Sequence, residues 1–176
     1  MPFDGADSYR KEQARAILTD VHTYLATPGK WLQGEWSDRG RRHCLIGAVK
    51  LIGRRRKVRL DDNLARRYLC AALRRERAHT DMPEGFNDEC PSLGFVLEVV
   101  ASAIEIVRAD LAGQPRPVAP RCPEIGAWSD ARYVAIDAAR RQARADEARI
   151  EAPAAIISKN CGTSSCNAWS RDGCNS

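Results

Sequence analysis

Apolar side chains recur at three- and four-residue steps through most of the chain, and that spacing predicts helices. In 8–26 the stripe is Tyr9, Ala14, Ile17, Leu18, Val21, Tyr24 and Leu25. Asp7 or Ser8 can cap its start, and Thr27, Pro28 and Gly29 stop it. His22 stands off the stripe and reads as a surface or boundary residue. A shorter stripe in 43–53 comprises Cys44, Leu45, Ala48, Val49 and Ile52, with Gly53 as its stop. A third helix is expected over 61–77, with Leu64, Tyr68, Leu69, Ala72 and Leu73 on its apolar side. Asp61 and Asp62 suit its positive end, and Arg74, Arg75 and Arg77 its negative end. The most apolar stretch, 92–113, carries Leu93, Val96, Leu97, Val100, Ile104 and Val107 and reads as the central helix.

Between these stripes the pattern breaks. Residues 30–44 read as a loop punctuated by Gly34 and Gly40, with a weak hairpin through 32–43. Residues 79–91 also read as a loop, and the prolines of 113–127 make a linker. A charged helix with a thin apolar face follows at 128–152, capped by Ser129. The expected architecture is therefore all-α. A compact bundle of about four helices fills 1–112, followed by the linker, a fifth helix and an irregular Cys-rich tail at 153–176.

Composition agrees with helices. Hydrophobic residues make up 44% of the chain, enough for a core, while aromatics are only 6%, which disfavours strands. No apolar run reaches the ~18 residues of a membrane span, and the first residues lack the apolar stretch of a secretory signal. A cytoplasmic protein with reduced thiols is the expectation, and seven cysteines, an odd number, argue against a closed disulfide framework.

Charge changes the picture more. Residues 39–77 hold fourteen Lys/Arg against three Asp/Glu, a net of +11, while the remainder carries −6. Arg54, Arg55, Arg56, Lys57, Arg59, Arg66 and Arg67 form the heart of this block and are the candidate contacts to nucleic acid or an acidic protein. A solvated helix face is the plainer alternative, since no aromatics interleave with these cations to stack bases.

Three short signatures occur in order: Trp31 with Gly34, Cys44 with Gly47 and Ala48, and Phe86-Asn87-Asp88. Their spacing resembles a family of small bacterial and phage proteins classed as a domain of unknown function, over about 8–110. The resemblance implies a compact helical domain with no established reaction or cofactor, and everything after Pro115 looks like an extension. The residue types have structural uses. Trp31 can be an anchor, Gly34 a turn, Cys44 a small core residue, and Gly47 and Ala48 a close helix contact. Asp88 can cap the helix that follows, with Asn87 fixing the loop. The functional alternative is a polar pocket in which Trp31, Gln33, Glu35, Asn87 and Asp88 converge on a small ligand.

Enzymatic signals are thin. His43 and Cys44 are adjacent, and neighbours on a helix point about 100° apart, which suits no nucleophile pair. His79 could approach Cys44 or Cys90 through folding. Phosphate loops and dinucleotide glycine patterns are absent from the sequence. No cofactor is expected beyond a weak zinc reading of Cys161, Cys166 and Cys174, which form no close Cys pair. The same tail places Thr163, Ser164, Ser165 and Ser170 beside those cysteines. Thioether rings need those residue types, so a modified-peptide precursor, with 1–152 as leader and a modifying enzyme as partner, is the second functional reading. The tail thiols are expected to be accessible, and Cys44 and Cys70 protected.

Overall fold

In the computed structural model, residues 5–39, 41–58 and 64–151 are described. Among them the regular structure is entirely helical: α1 (Gly5–Ala26), α2 (Leu45–Arg55), α3 (Leu64–Arg75), α4 (Pro83–Glu89), α5 (Leu93–Leu111) and α6 (Pro123–Glu151). The chain divides into two units within α6, between Val134 and Ala135.

In the first unit α5 is central, with α1 and α3 packed against it and α2 against α1. Its apolar stretch supplies Val96, Val99, Val100, Ala103, Ile106 and Val107 to the core. The stripes of α1, α2 and α3 close around these residues, with Ile17, Leu18, Val21, Leu25, Leu45, Val49, Leu69 and Leu73 fully buried. Tyr9 departs from its expected place: it is 65% exposed, because the stripe of α1 becomes buried only from Ala14 onward.

The punctuation differs at several points, each with a local cause. α1 is already helical at Gly5, so Asp7 and Ser8 lie inside it and do not cap it; Asp7 instead pairs with Lys11 one turn on, at 2.6 Å. Asp61 and Asp62, expected at the start of α3, lie outside the described residues, as does Gly40. Residues 79–91, expected as a loop, contain α4. Pro83 opens it at a position where its missing N–H is harmless, and Phe86 and Asn87 are buried. Seven residues are too few to show a helical period. Gly53 does not stop α2, which continues to Arg55 and ends in a Schellman turn. There Val58 N donates to Gly53 O and Lys57 N to Arg54 O, with Lys57 in the left-handed region at φ 57°. Arg77 closes α3 in the same way, and Gly113 closes α5. The expected hairpin of 32–43 reduces to two isolated bridges, Trp31 to His43 and Ser37 to His43.

α6 begins at Pro123, five residues ahead of the expected 128, so Ser129 is not its cap. Ser129 is buried inside α6, where its Oγ accepts from His79 N. The approach to α6 is held instead by Glu76, which is fully buried. Its two carboxylate oxygens accept from Arg121 N and Cys122 N. Ile125 and Trp128 then seat the first half of α6, the indole meeting His79, Phe86 and Phe95 edge-on.

In the second unit, residues 135–151 are helical, and their side chains are exposed through Arg149. The ion pair Arg141–Asp137 at 2.6 Å and the Gln142–Asp146 hydrogen bond run along its surface. No helix among the described residues is long and apolar enough to cross a membrane.

Candidate functional site

The signature residues meet, and they meet around one side chain. Asn87, on α4, is fully buried. Its Oδ1 accepts from Trp31 Nε1 at 3.0 Å and from Leu45 N, the first amide of α2, at 3.1 Å. Its Nδ2 donates to Leu32 O and to Asp88 Oδ1, both at 3.1 Å. Gln33 Nε2 donates to Asn87 O and Cys90 O at 3.0 and 2.8 Å. Gly34, in the left-handed region at φ 79°, presents its N–H to Asp88 Oδ1 at 2.9 Å. Trp31, Gln33, Asn87 and Asp88 therefore converge, but their donors and acceptors are turned on one another and on backbone. Glu35 is exposed and takes no part.

Two expected roles change. Asp88 does not cap the following helix; Ser92 does, its Oγ accepting from Phe95 N. Asp88 lies in the last turn of α4 and serves the 31–34 loop instead. Cys44 is buried, as a small core residue should be, and it also caps α2 through a hydrogen bond from Gly47 N to its Sγ. Gly47 has a use of its own. A Cβ there would overlap the Trp36 carbonyl oxygen, which accepts from Cys44 N. The close approach at Gly47 is thus to a loop rather than to a helix.

The described thiols are poorly suited to nucleophilic work. Burial pushes Cys44 and Cys70 up, and takes Cys90 to about 11. Cys122 is raised by burial and by its hydrogen bond to Glu124. A thiol above its ordinary range supplies little thiolate near neutrality. His43 Nδ1 sits 2.7 Å from the Tyr24 hydroxyl. His79 Nε2 lies 2.6 Å from Glu89 Oε2, at ion-pair distance but out of line for a hydrogen bond. Among the described residues no imidazole bonds a thiol, and no cluster of three or more His, Cys, Asp or Glu could hold a metal ion. Cys161, Thr163, Ser164, Ser165, Cys166, Ser170 and Cys174 lie outside the described residues, as does Arg59.

The basic block separates into two populations. Arg42 pairs with Asp38, Arg56 with Asp20, Arg66 with Glu84 and Arg74 with Asp81. Arg75 is almost buried and joins Glu105, Ser102 and the Ala119 carbonyl. Arg56, Arg66 and Arg75 tie elements together, while Arg42 pairs within its own loop and Arg74 with the loop that follows its helix. Arg39, Arg41, Arg54, Arg55, Lys57, Arg67 and Arg77 are exposed and make no ion pair among the described residues. Three of these seven, Arg54, Arg55 and Lys57, cluster at the end of α2.

Sequence reasoning missed Trp36, which is 60% exposed and carries Lys50 Nζ 2.7 Å from its ring centroid. The signal was present, since Trp36 falls just before the block and Lys50 inside it. Only folding shows that loop and helix meet.

A family model matches residues 10–148. The chain belongs to DUF6197, a family of unknown function. The DUF6197 match takes in all three signature segments and runs on past 110, through the proline-rich connection and most of α6. The stretch from Pro115 to 148, expected as an extension, is therefore part of the family's own sequence. The Asn87 cluster, the Glu76 tether and the basic end of α2 all lie inside it. Neither the curated proteins nor the solved structures contain a match to the chain.

Proposed function

We propose that this DUF6197 chain is a non-enzymatic binding module that takes a polyanion on the basic surface at the end of α2. One observation carries the reading: Arg54, Arg55 and Lys57 are adjacent, exposed and without carboxylate partners among the described residues, while five other arginines of the block are paired. Unpaired neighbouring cations raise the local potential and give up little when an anion arrives, whereas a paired arginine must first release its carboxylate. The negative end of the α2 dipole offsets some of this field, so several cations are needed together. Arg67, on α3, is a further exposed cation without an ion pair among the described residues.

The alternative within the same domain, a small-ligand site at Trp31, Gln33, Asn87 and Asp88, has less support. Both amide atoms of buried Asn87 are bonded, and Trp31 Nε1, Gln33 Nε2 and Asp88 Oδ1 are engaged with the cluster or with backbone. Binding of polyphosphate and of a single-stranded oligonucleotide, each followed across a salt series, tests the proposal. Affinity at low salt that falls steeply as salt rises supports it, since bound cations displace condensed counterions. Failure to bind either probe at low salt overturns it.

A further inference from the structure

Gly47, Lys50 and Arg54 follow one another at three- and four-residue steps and so lie along one face of α2. The missing side chain of Gly47 lets the 31–43 loop settle onto that face with the Trp36 carbonyl in contact. The Trp36 ring is thereby set beneath the Lys50 ammonium and remains 60% exposed. Arg54 comes next along the face, and Arg55 and Lys57 close the helix. The result is an exposed aromatic ring at the head of a row of cations.

We infer that this strip binds single-stranded nucleic acid, with an unpaired base stacked on Trp36 and the phosphates tracked by Lys50, Arg54 and Lys57. The inference rests on the polyanion reading above and narrows it to one ligand class. An acidic protein segment would use the cations and leave the indole without a flat partner. A duplex would keep its bases inside the stack, out of reach of a side chain on a short loop. A single strand offers both a π-face and a phosphate run, the combination that sequence-tolerant single-strand binders engage. Lys50 over the ring already forms a cation–π contact. A base must therefore take the remaining exposed ring surface or displace the ammonium toward the phosphate. Glu35 is the carboxylate beside Trp36 in sequence, exposed and outside any ion pair among the described residues, and it opposes binding.

The test compares three probes on the full chain: a short oligothymidylate, a mixed-sequence duplex and polyphosphate, which has charge but no bases. Trp36→Ala is expected to weaken oligothymidylate binding about tenfold, the scale of one lost base–aromatic stack, and to leave polyphosphate binding unchanged. Trp36→Phe should keep most of the oligothymidylate affinity. Glu35→Gln should strengthen binding to both single-strand and polyphosphate probes. The Trp36 contacts that hold the loop are made by its backbone, so both Trp36 variants should keep the wild-type far-ultraviolet circular dichroism. If Trp36→Ala weakens both probes equally or neither, or if the duplex binds as tightly as the single strand, the stacking inference is overturned while the polyanion proposal stands. If the wild-type chain binds none of the three at low salt, both fall together.

Discussion

Two polar regions of this domain draw on the same loop and reach opposite ends. Around Asn87, four residues that could have formed a pocket satisfy one another and the backbone, joining α4, the start of α2 and the 31–34 turn. At the far end of α2, Arg54, Arg55 and Lys57 face solvent with no carboxylate to meet them among the described residues. One is centred on a buried amide whose oxygen and nitrogen are both bonded; the other is exposed and electrostatically open. Residue type does not separate the two cases, since Asn, Asp, Gln and Trp serve in binding sites as readily as Arg and Lys. What separates them is whether the central groups already have partners, as both amide atoms of Asn87 do.

The contrast can be broken from either side. The largest effect is expected at Asn87. Asn87→Leu keeps the branched shape of the side chain but strands the Leu45 and Trp31 N–H groups and the Leu32 carbonyl. A stability loss of about 3 kcal/mol is expected, several unsatisfied buried groups acting together. Urea denaturation measures it, and a loss well under about 1 kcal/mol would mean that water replaces the amide and the cluster is open. Gly47→Ala comes next. Its methyl meets a backbone carbonyl rather than a flexible side chain, so a cost of about 2 kcal/mol is expected from the forced shift of the loop. Trp36 should move with it, and the oligothymidylate affinity should fall as well.

Lys57→Gly gives a smaller effect of mixed sign. Lys57 occupies the left-handed position of a Schellman turn, where an L-residue costs about 1 kcal/mol and glycine nothing. The variant should be more stable by about that amount and bind polyanions more weakly. Thermal melting and a binding titration on the same sample read both. A variant that gains stability without losing affinity would remove Lys57 from the binding surface.

How much of this could be read in the sequence depended on length and on partners. Long amphipathic stretches were legible: α1, α2, α3 and α5 lie where Ile17, Val49, Leu69 and Val100 put them, because burial of a periodic stripe dominates local propensity. α4 was hidden by its seven residues. The start of α6 was hidden because its anchor, Glu76, is contributed from 45 residues away in sequence, through the bond to Arg121 N. Cys44, Gly34 and Gly47 were legible as packing and turn residues. Asp88 was assigned to the wrong neighbour, since a carboxylate near a helix start is as able to bond a distant loop amide as the local one. The net charge of the block was legible, but its division was not. Arg54, Arg55 and Arg56 look alike in sequence, and of the three only Arg56 meets a carboxylate among the described residues, Asp20 at 2.7 Å.

The most direct measurement sets three open cations against three paired ones. Arg54→Gln, Arg55→Gln and Lys57→Gln are combined in one chain, and Arg42→Gln, Arg66→Gln and Arg74→Gln in another, so both lose the same formal charge. The dependence of oligothymidylate affinity on salt is then measured for each and for the wild type. The first chain should lose affinity, with a salt slope that shrinks by about 0.7 for each contact removed, while the second keeps a slope near the wild-type value. Equal flattening in both chains would contradict this division of the block, because the field of the whole block, and not the unpaired cations at the end of α2, would then be what the polyanion reads.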